Sequence, residues 1–431
     1  MKVLLLNQCF YPDVMATAQH LTDLALGLAG EGHEVTVIAS DRGYDNPSRR
    51  FPRRETWNGI KIIRIPSMAL GKGTRWRRAL NFASFLINCS SRLLLVPRFD
   101  VVVALTSPPL ISFLGALFVR IKGGRFFFWV MDLNPDEAIA AGWLKEHSLT
   151  ANVLKRLLRY SLLHSEKVIA LDQFMKQRIV AKGVPEQSVT VLPPWAQDDT
   201  VRFDREGREA FRRQYNLAES FVVMYAGNHS PCHPLDTLLE AARLLSDRVS
   251  NNYQDIVFCF IGGGSEQQKV SDFARRHSLG NIVCLPYQPL VMLAASLSAA
   301  DLHAVVMGNE FVGIVHPCKV YNILSIGSPF LYIGPTKSHV SEIAAAIASN
   351  RNPTYRVYTA IGGDVETVVN SILDQAKRKF DGEQHCLPEI AKMFSRQILM
   401  PRMIEVLESR AMAETLTFTP SETPSYMSAR R

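Results

Sequence analysis

No run of about 18 consecutive apolar side chains occurs in the 431-residue chain, so no membrane-crossing helix is expected. No basic leader precedes an apolar stretch either. Met1-Lys2 leads straight into the strand-like run Val3 to Leu6, and no signal peptide is expected. Cysteine is sparse and scattered. The seven residues at 9, 89, 232, 259, 284, 318 and 386 are odd in number and lack metal-ligand spacing, which points to a reducing, cytoplasmic compartment. Cys259 and Cys284 fall inside apolar runs and are expected in the core. A nucleic-acid-binding signature is also missing, so nucleic acid is not an expected partner despite the net charge of +8. The excess charge is concentrated at Arg49 to Arg54 and at Arg75 to Arg78, blocks that fit anionic lipid or solubility.

What is present describes a soluble globular protein, with 47% apolar and 20% charged residues. The length suggests two domains of about 180–200 residues. In the first half, strands at Val3 to Leu6, Glu34 to Ser40, Ile60 to Ile65, Asp100 to Leu105, Arg125 to Met131, Lys167 to Leu171 and Val189 to Leu192 alternate with helical spacings. Pro193-Pro194-Trp195 followed by Asp198-Asp199 has the composition of a linker. The pattern then repeats, with strands at Phe221 to Tyr225, Ile256 to Ile261, Ile282 to Leu285, Leu302 to Met307 and Phe330 to Ile333. Helices near Val365 to Arg378 and Leu387 to Leu407 close the chain. The expected fold class is α/β: two doubly wound, parallel-sheet domains facing across a cleft. The expected divisions are residues 1–195, residues 196–390, a C-terminal helix over 391–411, and a disordered Ser/Thr/Pro-rich tail over 412–431.

The stretch Asp301 to Gly327 organises the rest. An apolar strand, Leu302 to Met307, leads to a loop with Glu310, Gly313, His316 and Pro317, and then to a helix with Lys319 in its first turn. Proline costs no hydrogen bond there. A lysine at the positive end of a helix is unfavourable unless an anion sits against it, so the pattern suggests a phosphate. Open α/β sheets place ligands at the carboxyl ends of their strands, where these groups converge.

Arg75 to Leu95 is basic, aromatic and apolar, and fits two alternatives equally. It is a helix lying in an anionic membrane interface, or a core-facing helix with a solvated basic start.

The loops resemble those of the family 4 glycosyltransferases, from Met1 to about Leu407. Asn7-Gln8-Cys9-Phe10-Tyr11-Pro12, Ala16-Thr17-Ala18 and Gly32-His33-Glu34-Val35-Thr36-Val37 look like that family's N-terminal signature. Asp132-Leu133-Asn134-Pro135-Asp136-Glu137 stands where a sugar-site loop is found. Tyr225-Ala226-Gly227-Asn228-His229, Ile261-Gly262-Gly263-Gly264 and Glu310 to Lys319 match three donor-site loops in order. The similarity is greatest to the branch that builds exopolysaccharide and O-antigen chains. It implies a GT-B fold with two Rossmann-like domains, the first binding acceptor and the second binding the nucleotide sugar.

The resemblance further implies retaining transfer from a nucleoside-diphosphate sugar, UDP before GDP, to a glycan or polyprenyl/lipid-linked acceptor. No cofactor and no metal are required. Asp132, Glu310 and Lys319 are the implied catalytic residues. Gly227, Asn228, His229, His233, Gly262, Gly263, Gly264, Tyr287, Gly313, His316 and Tyr321 would line the donor side, and Tyr11, Thr17 and His20 the acceptor side. Departures exist. The usual second glutamate of the last loop falls on Cys318, the usual Arg and Lys of the first donor loop fall on Asn228 and His233, and a Gly-Gly pair is replaced around Ala16-Thr17. Alternatives of the same architecture are a nucleotide-sugar 2-epimerase and a non-catalytic carbohydrate-binding protein. His229 and His233 have the spacing of a metal pair but no evident third ligand. His303, within a strand, is expected to be a satisfied core histidine. The location implied is cytoplasmic, peripheral on the inner membrane face if the basic helix binds lipid.

Overall fold

A computed structural model describes residues 1–43, 48–68, 70, 75–246, 256–349, 355–380 and 388–409. The predicted tail over 412–431 and Cys386 lie outside the described residues. The first half contains β1 (Lys2–Leu6), β2 (Glu34–Ser40), β3 (Arg54–Trp57), β4 (Ile60–Ile65), β5 (Val101–Ala104), β6 (Arg125–Trp129), β7 (Lys167–Ala170) and β8 (Val189–Val191). They form one sheet in the order β3-β4-β2-β1-β5-β6-β7-β8. Every pairing is parallel except β3 with β4. Helices cover both faces, which is why the Val3–Leu6 part of β1, β5 and the Phe126–Trp129 part of β6 are apolar without alternation and fully buried.

The second half holds β9 (Phe221–Asn228), β10 (Ile256–Gly263), β11 (Ile282–Leu285), β12 (Leu302–Val306), β13 (Phe330–Ile333) and β14 (Val357–Ala360), ordered β11-β10-β9-β12-β13-β14 and parallel throughout. Two of the strands, β3 and β14, and the helices Asp136–Ala140 and Arg205–Gln214 are additional to those expected. Cys259 is buried as expected, but Cys284 is exposed, because β11 is an edge strand. In place of one helix over 387–407, a 3₁₀ segment at Glu389–Phe394 and an α-helix at Arg396–Glu408 meet at extended Ser395.

The last helix returns to the first half. Met400 and Ile404 pack over Gly27 so closely that a side chain there would touch both. Arg125 donates to the carbonyls of Leu407 and Ser409, each at 2.8 Å. The predicted linker is also firmly held. Trp195 is buried and its indole N–H donates to Asp23 at 2.9 Å; Gln197 donates to the same oxygen at 2.8 Å. Arg396, where the chain crosses back, pairs with Asp23 at 3.3 Å and Asp199 at 2.7 Å. Asp23 thus ties both crossings to the Ala16–Gly30 helix.

The Arg75–Leu95 helix packs one stripe against the core. Phe85, Cys89 and Leu93 are buried at four-residue spacing. Trp76, Leu80, Ile87, Leu94 and Leu95 are exposed on its other faces.

Candidate active site

A cavity of 360 Å³ opens between the carboxyl ends of the two sheets. Its first-half wall comes from the loop and helix after β1, with Met15, Thr17, Gln19 and His20, and from the end of β6, with Met131 and Asp132. Its second-half wall comes from the ends of β9, β10, β11 and β12: Gly227, Asn228, Ile261, Tyr287, and His316 to Lys319. This is where open α/β sheets expose loop groups not consumed by strand pairing.

Lys319 is the dominant electrostatic feature. Its ammonium is buried and has no hydrogen-bond acceptor. It rests 3.5 Å above the centroid of Tyr225, against Gly227, where a side chain would collide with it. Burial pulls its pKa down from 10.5 to about 7, with partial compensation from the neighbouring Cys318 thiol. The supporting helix, Lys319–Ser325, is only seven residues long. Positive charge at this point is therefore chiefly the lysine's own.

Two histidines close the same corner. His233 Nδ1 donates to the Val306 carbonyl at 2.7 Å, and burial followed by Lys319 lowers its pKa to about 3. His229 is buried with neither ring nitrogen in a well-formed hydrogen bond, although the backbones of Gly263 and Gly227 lie beside it. Burial and then Lys319 lower it to about 4. Both are neutral near pH 7. The Gly262-Gly263-Gly264 turn packs on this loop: the His229 amide donates to Gly263 at 2.8 Å, and side chains at 262 or 264 would strike the backbone of Gly227 or His229. Tyr287 donates to the Gly263 carbonyl at 3.3 Å.

Across the cavity, Asp132 is raised to about 8 by burial and then by Glu137, whose own pKa is also raised by burial. Asn134 donates to Glu137 at 2.9 Å. Near neutral pH Asp132 is a neutral carboxylic acid, able to donate a hydrogen bond to a sugar hydroxyl. His20 stands edge-on to Trp195 at 5.4 Å and is lowered to about 4 by burial and then by His316. Thr17 lines the same wall with its hydroxyl unpartnered.

Several expected residues lie elsewhere. Glu310 is on a 3₁₀ turn, Asn309–Phe311, exposed and outside the cavity lining, so the structure does not bring it to Lys319. Gly313 (φ +69°) faces the Phe174 backbone, and Leu133 donates to Ile314 at 2.8 Å across the same seam. This part of the loop joins the halves rather than framing an open site. Tyr11 stacks on Trp57 at 4.1 Å, away from the lining. His316 reaches the lining but is held by Asp172 and Tyr321, and Cys318 donates to the His316 carbonyl at 3.1 Å. His303 is buried and bonded to the Leu297 carbonyl at 3.0 Å. Missed lining residues include Met15, Gln19, Trp195, Gln197 and Asn322; of these five, Asn322, one helical turn past Lys319, was legible from spacing.

Among the described residues, Asp172, His316 and His339 place three ligand-type atoms within 4.8 Å of one another. The imidazoles are stacked, 3.6 Å apart at 15°, so one ion could not lie in the plane of both rings. The 2.7 Å contact between His316 and Asp172 is a hydrogen bond in this arrangement.

Residues 16–195 match the glycosyl transferase 4-like domain. The putative colanic acid biosynthesis glycosyl transferase WcaI of Escherichia coli strain K12 is 24% identical over 343 residues, 76% of this chain and 82% of its own. The probable glycosyltransferase WbjE of Pseudomonas aeruginosa is 22% identical over 246 residues, 57% of this chain and 60% of its own. Two solved structures share the fold. Anabaena Alr3699/HepE in complex with UDP-glucose gives a TM-score of 0.69 at 15% identity, over 95% of this chain and 100% of that one. WaaG, a glycosyltransferase involved in lipopolysaccharide biosynthesis, gives 0.65 at 14% identity over the same shares. The chain carries a glycosyl transferase 4-like domain over residues 16–195 and is a glycosyltransferase.

In this glycosyltransferase the cavity described above lies between the two sheets of a GT-B fold. A diphosphate leaving group develops negative charge as it departs, and a preorganised cation in a water-poor site is the largest expected stabilising element. Among the described residues, Lys319 is the one cavity-lining ammonium or guanidinium.

Proposed function

We propose that the enzyme moves a sugar, with retention of anomeric configuration, from a nucleoside diphosphate (uridine before guanosine) to a glycan or lipid-linked acceptor in cell-surface polysaccharide synthesis. The observation that carries the reading is the buried, acceptor-less ammonium of Lys319 at the meeting point of both sheets. In this reading residues 1–195 hold the acceptor and residues 196–390 hold the donor. The bond from the anomeric carbon to the diphosphate breaks, the acceptor oxygen bonds to that carbon on the same face, and the acceptor proton passes to the departing phosphate. Lys319 stabilises the diphosphate, while neutral Asp132 orients a sugar or acceptor hydroxyl. Glu310, as placed, takes no part. No metal or cofactor beyond the donor is needed.

The UDP-glucose complex of HepE and the colanic-acid description of WcaI support the donor class and the pathway type. A screen of purified protein against UDP- and GDP-sugars, read by nucleoside diphosphate release, tests it. UDP release that requires an acceptor is expected. Release from neither series, or isomerisation of the sugar nucleotide without acceptor, would overturn it.

The exposed Trp76, Leu80, Ile87 and Leu94 beside Arg77 and Arg78 support binding at an anionic membrane face. No helix among the described residues is long and apolar enough to cross a membrane. Flotation with anionic vesicles at low salt should carry the protein upward; equal recovery with neutral vesicles sinks the idea.

A further inference from the structure

Asp172 follows β7 and caps the Gln173–Ala181 helix, with Oδ1 accepting the Met175 amide at 2.7 Å. Its other oxygen crosses to the second half and meets Nδ1 of His316 at 2.7 Å. The far nitrogen of that ring, Nε2, lies 2.6 Å from the Tyr321 hydroxyl. Tyr321 stands on the same short helix as Lys319, two residues further on. All three side chains are buried. Burial alone would raise Asp172, but chiefly the hydrogen bond from His316 outweighs it and holds the carboxyl at about 2. An ionised carboxylate only accepts, so Nδ1 of His316 must be the donor. In the neutral ring Nε2 is then an acceptor, and the tyrosine supplies its proton. His339 stacks on His316 and places its own Nδ1 3.5 Å from the same carboxylate oxygen, walling the relay from the side.

We propose that Asp172 is a positioning residue for sugar transfer, fixing the His316 tautomer and thereby, through Tyr321, holding the Lys319 helix against the donor diphosphate when the two halves are closed. The role rests on the donor reading above. It makes Asp172 the first-half contribution to a second-half binding group, so closure of the cleft and placement of the lysine become one event. Lys319 cannot then be fully aligned in an opened cleft.

The test uses full-length protein, ¹⁵N-histidine NMR for the tautomer and calorimetry with UDP for the site. His316→Gln identifies the His316 signals. In the wild type, Nδ1 of His316 carries the proton. Asp172→Asn keeps the shape and the cap but presents an amide, and should move the proton toward Nε2. Loss of one charge-assisted contact at the diphosphate should weaken UDP binding about tenfold or more in Asp172→Asn. Tyr321→Phe should act in the same direction. The double variant should be no weaker than the worse single, because both changes cut one chain. A wild-type His316 protonated on Nε2, unchanged UDP affinity in folded Asp172→Asn, or additive losses would each overturn the proposal. A wild type that binds neither UDP nor GDP overturns the donor reading, and the positioning role with it.

Discussion

Replacing Lys319 with methionine should make the ligand-free protein more stable and the enzyme inactive. The drop in the lysine's pKa from 10.5 to about 7 corresponds to roughly 4–5 kcal/mol, at about 1.4 kcal/mol per pKa unit. Contact of the ammonium with the Tyr225 ring returns about 1–2 kcal/mol of that. Methionine fills much the same space as the lysine stem and carries no charge. About 2–4 kcal/mol of stabilisation therefore remains. The sign follows from the direction of the shift: a folded-state pKa below the unfolded value means that protonation opposes folding. The cost is complete below about pH 7, shrinks between pH 7 and 10.5, and is absent above. Urea unfolding of both proteins at pH 6.5 and at pH 10, without ligand, should show the gain at the lower pH and little at the higher. Turnover should fall by about 10²–10³-fold, the usual loss for one oxyanion-stabilising donor. A methionine variant that is less stable at pH 6.5, gains equally at both pH values, or keeps its turnover would refute the reasoning.

Asp132→Asn mimics the neutral acid, so its turnover should match the wild type below pH 7 and diverge above pH 8, as pH–rate profiles would show. Because ionisation of Asp132 opposes folding, the variant should also gain stability as pH rises from about 4 to 8. Asp301 bonds Arg208 at 2.5 Å, Arg212 at 3.0 Å and Lys379 at 2.8 Å from a buried position. Asp301→Ala should cost about 3–5 kcal/mol by denaturant unfolding, since it strands buried cations. The three cations hold that carboxyl at about 2 against the effect of burial, so the stability it confers is present above about pH 4 and lost as pH falls toward 2.

Both sheets were legible because strands covered on two faces must be apolar throughout, as Val101 to Ala104 and Leu302 to Val306 are. Strand ends in an open α/β sheet then point to Asp132 and Lys319 without further information. Strand β3 escaped notice because Arg54 to Trp57 is a short, charged edge, half-exposed on alternate residues. Trp195 looked like linker because Pro193 and Pro194 precede it, and its partner Asp23 is 172 residues away. Glu310 shows the general limit: spacing along a loop orders the residues but does not aim them, and a single 3₁₀ turn faces this carboxylate outward. The pairing of Asp172 with His316 spans 144 residues, a separation that no local pattern records.

The returning helix at Arg396–Glu408 has a consequence for dissection of the molecule. Met400 and Ile404 are buried, and they roof the surface at Gly27. A fragment ending at Pro194 would leave that apolar surface bare to water, and one starting at Trp195 would carry its roof with nothing beneath it. The two lobes are thus consecutive in most of the sequence yet inseparable by a single cut, like a clasp knife whose spring is anchored in the opposite handle.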